Sequence, residues 1–186
     1  HPSAAAEVVA PLAALCHWQR RHVLGYPARG RDLNFHPSPF TQIQITDKGL
    51  AELEKIVDHV RGMVGYEVPL STDHYGHFDV NNGIRLGRAL EKYRLAWFED
   101  VISWEYTDQW KKLSDALETP CLTGEDIYLL KYFKPLIDSR AVDIVHPDLA
   151  SSGGLLETKR IGDYAEENGI AMAMHQAGTP VSFMGN

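Results

Sequence analysis

From residue 40 onward the apolar positions alternate between two periods. Phe40–Thr46 (FTQIQIT) has the period of two expected of a strand. Leu50, Leu53, Ile56, Val57, Val60, Met63 and Val64 then recur at helical spacing, with Asp47 placed as N-cap and Gly65 as C-cap. The pair repeats. Glu67–Thr72 reads as a strand and residues 81–93 as a helix. Leu95–Phe98 is followed by a helix presenting Trp110, Leu113 and Leu117, and Pro120–Thr123 by one presenting Leu129, Phe133 and Leu136. Val142–His146 precedes a helix marked by Leu156, Ile161, Tyr164 and Ala165, and Ile170–Met174 is the last strand.

Six strands alternating with five helices predict an α/β fold with a parallel sheet, because each helix carries the chain back to begin the next strand in the same direction. All strands then end on one edge, where such folds build their sites. Residues 1–39 stand outside the rhythm and read as a helix over about 4–24 and a Pro- and Arg-containing loop; residues 40–186 form the repeating domain.

Composition narrows the partners. With 44% hydrophobic and 23% charged residues the chain is an ordinary globular sequence, and its net charge of −7 offers no basic patch to nucleic acid or an anionic membrane. No apolar run reaches the roughly 18 residues of a membrane span. Residues 3–16 are interrupted by Glu7 and Pro11 and follow no basic stretch, so a signal peptide is not expected. Cys16 and Cys121 form no motif, which points to free thiols in a reducing, cytoplasmic setting.

The strand ends carry the chemistry. Asp73, Glu99, Glu125, Asp148 and His175 stand 26, 26, 23 and 27 residues apart in turn, about one strand–helix unit each. Adjacent strands lie ~4.8 Å apart, so three carboxylates on successive tips meet in one small volume. Their repulsion requires a cation or bound protons. Mg²⁺ suits an all-oxygen set that leaves coordination positions open; zinc is less natural, because no Cys or second His falls at these three positions. An Asp after a strand can instead cap the following helix, but Glu is a poor cap, so Glu99 and Glu125 fit that reading badly. Asp148 and His175, on the next two strands, suit a general base oriented by a carboxylate.

At these residues the sequence resembles the mandelate racemase/muconate lactonizing enzyme-like branch of the enolase superfamily, over about residues 40–186. The strings PLSTDHYGH, LAWFEDV, LTGEDIY, IVHPDLASSGG and AMAMHQAGTP look like those of its sugar-acid dehydratases. The resemblance implies a (β/α) barrel of the TIM type, here about six of eight strands. It also implies Mg²⁺ on Asp73, Glu99 and Glu125, and His175 as base with Asp148 orienting it. The implied reaction is a lyase's: removal of the proton α to the carboxylate of a sugar acid, stabilisation of the enediolate and loss of the β-hydroxyl. Parents of this kind form dimers or octamers, so a homo-oligomer is a further expectation.

Three departures qualify the resemblance. Where the family often places Lys-x-Lys, twenty-nine residues before Asp73, this chain has Gln42-Ile43-Gln44, and glutamine cannot take a proton. One-base elimination is therefore expected over two-base racemisation, with a racemase or epimerase as the alternative. Some relatives carry an acidic His two residues after the first ligand; that position is Tyr75, flanked by His74 and His77, and these three are the candidate acids. Neither a capping domain nor an eighth strand is visible, so a fragment or damaged gene product is expected, with a catalytically dead structural remnant as the reading from another class.

Overall fold

Thr46, rather than Asp47, caps the first helix: its backbone is extended, its side-chain oxygen accepts the Gly49 N–H at 3.0 Å, and Asp47 sits in the first turn instead. The computed structural model describes residues 45–76 and 78–186. Helix α1 (Asp47–Val64) buries Leu53, Val57 and Val60 and ends at Gly65, in the cap position expected. Strand β1 (Thr72–Asp73) leads to α2 (Val80–Leu90), which Asp79 caps and a 3₁₀ turn (Glu91–Tyr93) extends. There follow β2 (Phe98–Glu99), α3 (Thr107–Ser114), β3 (Cys121–Thr123), α4 (Leu130–Asp138), β4 (Ile144–Val145), α5 (Leu155–Glu167), β5 (Ala171–Met172) and α6 (Pro180–Gly185).

The five described strands form one parallel sheet in the order β1-β2-β3-β4-β5. Strands paired in chain order, each reached through a helix, are the arrangement of a (β/α) barrel wall. Between sheet and helices lies a core that includes Phe98, Trp110, Leu113 and Phe133, all essentially inaccessible. Cys121 belongs to this core, and burial pushes its thiol up to about 12, so it is inert there. No described helix is long and apolar enough to cross a membrane. Most of the strand expected at Phe40–Thr46, the whole of residues 1–39, and Cys16 lie outside the described residues.

The strands are shorter than their apolar runs. The run Glu67–Thr72 forms a strand only at its end, Thr72–Asp73, preceded by one bond from the Ala96 N–H to the Leu70 carbonyl, and Arg61 occupies the backbone before that. Its guanidinium is buried in α1 and donates to the carbonyls of Gly65, Val68, Tyr93 and Arg94 at 2.8–2.9 Å. The 65–68 backbone is thereby bonded to a side chain instead of a neighbouring strand, and Pro69 has no N–H to offer a ladder. Three positions of the predicted apolar stripes are also corrected. Met63 is 56% exposed in the last turn of α1. Leu156 is 74% exposed in the first turn of α5, and Leu129 is 40% exposed at φ +64° ahead of α4, where its N–H bonds the Ser152 carbonyl.

Close approach of backbones fixes the turn after β3. Gly124 has φ +149°, and a Cβ there would lie 2.8 Å from the His146 nitrogen, 2.9 Å from the His146 carbonyl carbon and 2.9 Å from the Phe133 ring. Only a residue without a side chain lets the β3 tip lie so near β4.

Two stability predictions follow from this packing. Arg61→Met should strand buried carbonyls and cost about 3 kcal/mol or more, read as a lowered urea midpoint, with Arg61→Lys recovering only part of it. Gly124→Ala should cost about 2 kcal/mol or more through contact with backbone that cannot yield, whereas Gly65→Ala, where space is open, should cost less.

Candidate active site

Each strand delivers a polar residue to the shared edge. Asp73 ends β1 in register with Glu99 at the end of β2. Directly after each, the backbone turns into the left-handed region, at Tyr75 (φ +56°) and Asp100 (φ +42°). The Tyr75 N–H donates to Asp73 Oδ1 at 3.1 Å. Both Glu99 oxygens are engaged: Trp97 Nε1 donates to Oε2 at 2.8 Å, and His146 Nε2 faces Oε1 at 3.2 Å. Asp100 is buried and accepts from the Thr123 hydroxyl.

The carboxylates feel one another. Burial, then the charges of Glu99 and Glu125, push Asp73 up to about 7 against the bonds from Tyr75. Burial likewise raises Asp100 well above the usual range, reinforced by Glu125, Asp73 and Glu99 and opposed by Thr123. Burial would also raise Glu99, but the bond and charge of His146, with Trp97 and His175, outweigh it and hold that carboxyl low. Reciprocally, burial pulls the His146 imidazole down while the Glu99 bond and charge bring it above its ordinary value.

Beyond Gly124, Glu125 turns toward the histidines: its Oε2 lies 2.7 Å from His175 Nε2. Burial raises its carboxyl, with His175 opposing and Asp126 and Glu99 adding to the rise. At the next two tips, Asp148 and His175 form a parallel bridge, and His175 Nδ1 donates to Asp148 Oδ2 at 2.7 Å. The other oxygen of Asp148 accepts the Ala150 N–H at 2.7 Å. Burial would raise Asp148, yet the His175 and Ala150 bonds outweigh it and keep the carboxyl ionised. An ionised carboxylate only accepts, so the proton sits on Nδ1 and Nε2 is the basic nitrogen.

Among the described residues, oxygen atoms of Asp73, Glu99 and Asp100 lie within 4.8 Å of one another, and ligand atoms of Glu125, His146 and His175 make a second such group. The sequence reading missed Asp100, His146 and Trp97. Each was findable: Asp100 follows Glu99 directly, and Trp97 and His146 stand two residues before a tip carboxylate, on the same face by strand alternation.

The candidate acids separate. His74 is neither solvated nor turned to the tips. It is 1% exposed, bonded through Nε2 to the Thr72 hydroxyl at 3.0 Å and edge-on to Phe98 and Phe78 at 4.6 and 5.7 Å. Tyr75 is 38% exposed beside Asp73, and His77 lies outside the described residues.

Residues 31–186 match the enolase C-terminal domain-like family. The chain is similar to a D-galactonate dehydratase family member, RspA, of Pantoea ananatis, at 32% identity over 72% of this chain and 33% of the relative. It is 31% identical to a D-xylonate dehydratase of Haloferax volcanii over 87% of this chain and 40% of that protein. It therefore spans about a third to two fifths of the length of these relatives. Among solved structures it is similar to a mandelate racemase/muconate lactonizing enzyme-like protein from Rubrobacter xylanophilus. That likeness has 37% identity and a TM-score of 0.73, over 75% of this chain and 35% of that one. Family match, parallel topology and relatives agree: the chain belongs to the enolase superfamily.

Proposed function

We propose that this chain carries the metal-binding and base residues of an acid-sugar dehydratase, a lyase that removes water from a hydroxy-carboxylate to give a 2-keto acid. The observation that carries the reading is the Asp148–His175 pair at 2.7 Å, with the basic nitrogen turned toward the carboxylate tips. Dehydratases of sugar acids among its relatives support it.

The donor set fits a hard divalent cation. Asp73 and Glu99 converge with Asp100, Glu125 acts on Asp73 and Asp100 through its charge, and Asp73 is driven up to about 7 by burial and by the charges of Glu99 and Glu125. Asp73, Glu99 and Glu125 would hold Mg²⁺. When bound, Mg²⁺ would offset the negative charge that grows on the substrate's carboxylate oxygens during proton removal.

The chain's own residues do the rest. Trp97 and His146 hold both oxygens of Glu99, so that carboxylate is oriented before any ligand arrives. Asp148 fixes the His175 ring by accepting its Nδ1–H, and Nε2 takes the α-proton. The β-hydroxyl leaves with a proton from an acid; Tyr75 and His77 remain the candidates, since His74 is closed off in the core. Gln44 in place of a second base favours elimination over racemisation.

His175→Asn should abolish exchange of the substrate α-proton in deuterium oxide, a loss of about 10³-fold or more, with Mg²⁺ affinity largely kept. Asp148→Asn should lose less, because the base remains. A panel of aldonic and aldaric acids with a keto-acid assay reads the product; epimer without keto acid would transfer the assignment to an epimerase.

A pH response accompanies the metal reading. Asp73 holds its proton in the fold up to about 7 but releases it near 4 when unfolded. Between those values the unfolded chain binds fewer protons, so this group's contribution makes the metal-free protein less stable as pH rises. Asp73→Asn should flatten that slope in urea titrations, and saturating Mg²⁺ should reverse it, because the ion favours the ionised carboxylate.

A further inference from the structure

We propose that Glu125, His146 and His175 form a second cation site, distinct in chemistry from the all-oxygen group, that takes a borderline first-row divalent metal such as Zn²⁺. One ligand atom from each lies within 4.8 Å of the others. Two imidazole nitrogens and one carboxylate are a common first-row set, whereas Mg²⁺ prefers oxygen alone.

The second observation is the way both rings are held. His146 Nδ1 lies 2.8 Å from the Ala173 carbonyl, and a carbonyl can only accept, so Nδ1 carries the proton. His175 Nδ1 lies 2.7 Å from the Asp148 carboxylate, with the same consequence. In both rings Nε2 is thereby turned toward a tip carboxylate, Glu99 Oε1 at 3.2 Å for His146 and Glu125 Oε2 at 2.7 Å for His175, and a metal would take the place of the proton shared there. A carbonyl or carboxylate behind a histidine, fixing its tautomer, is the usual support of a metal-ligating imidazole. The two rings stand edge to face, their centres 5.2 Å apart. They are supplied by neighbouring strands whose spacing is fixed by the bridge Asp148–His175 and by the Val145–Met172 pairing.

The present distances lie close to those a metal needs. Ligands ~2.1 Å from one ion stand roughly 3.0–3.4 Å from each other. Glu125 Oε2 and His175 Nε2, at 2.7 Å, must part by a few tenths of an ångström, and His146 must draw in. The side chain of His146 is only 9% exposed and those of His175 and Glu125 about one-fifth, which leaves an open side for a water or a substrate oxygen.

The site opposes the reaction proposed above. A metal on His175 Nε2 occupies the lone pair that would take the α-proton, and it draws Glu125 away from the Mg²⁺ set. Zn²⁺ is therefore expected to inhibit by removing the base. The existence of the site does not depend on that reaction, and its test does not use it.

The experiment is titration of Zn²⁺ into the full chain carrying nitrogen-labelled histidine, in Mg²⁺ excess, followed by long-range proton–nitrogen correlation spectra. Both Nε2 signals, of His146 and His175, should move with one equivalent of Zn²⁺, and Mg²⁺ alone should not produce that shift. By calorimetry, His146→Gln should lower Zn²⁺ affinity roughly tenfold or more beyond any change in Mg²⁺ affinity. Zn²⁺ that leaves either Nε2 signal in place, or whose affinity is indifferent to His146→Gln, overturns the site. Loss of dehydratase activity in every variant with the nitrogen shifts intact would bear on the proposed reaction alone.

Discussion

Negative charge gathered on one edge of the sheet is the constraint to which the other features answer. Asp73, Glu99 and Asp100 sit within reach of one another at the tips of β1 and β2, Glu125 faces His146 and His175 beside them, and burial makes each charge costlier. The molecule offsets this in three ways. Asp73 and Asp100 keep their protons to higher pH, His146 and Trp97 donate to Glu99, and His175 stands between Glu125 and Asp148. The charge still held against solvation is what the proposed Mg²⁺ would offset.

The strand–helix rhythm was legible because each helix must bury one apolar stripe and each strand is covered on at least one face. Trp110, Phe133 and Ile161 stood out for that reason. The tip residues were legible from their regular spacing alone. What the pattern could not reveal were effects that act across the chain. Arg61 takes the carbonyls of residues 65 and 68 through contacts made in three dimensions, so the apolar run there overstated the strand. Leu129 and Leu156 kept helical spacing while facing solvent, because periodicity says which residues share a face and not which face is covered. His146 was overlooked since it lies inside an apolar run, although strand alternation puts it beside Asp148.

The same alternation explains how little regular structure the site needs. The strands are two or three residues long, and beyond them the backbone enters left-handed turns at Tyr75 and Asp100. Geometry at the tips is set instead by side-chain hydrogen bonds: His146 donates to the Ala173 carbonyl, Asp148 accepts from the Ala150 amide, and Thr123 donates to Asp100. The contact of Gly124 with the His146 backbone then brings Glu125 to the histidines.

Arg61 gives the molecule a second kind of anchor, at the far end of α1. Its partners are four peptide dipoles, and none of them is an ion. Carbonyls do not titrate, and dipoles packed against a buried guanidinium are little screened by dissolved salt. Acid strong enough to protonate Glu99 and Asp148, the two tip carboxyls held low by their histidine partners, breaks those ionic bonds. An acidifying environment should therefore loosen the mouth of the sheet first and leave the corner between α1 and α2 folded, so that the two ends of the molecule come apart in sequence and not together.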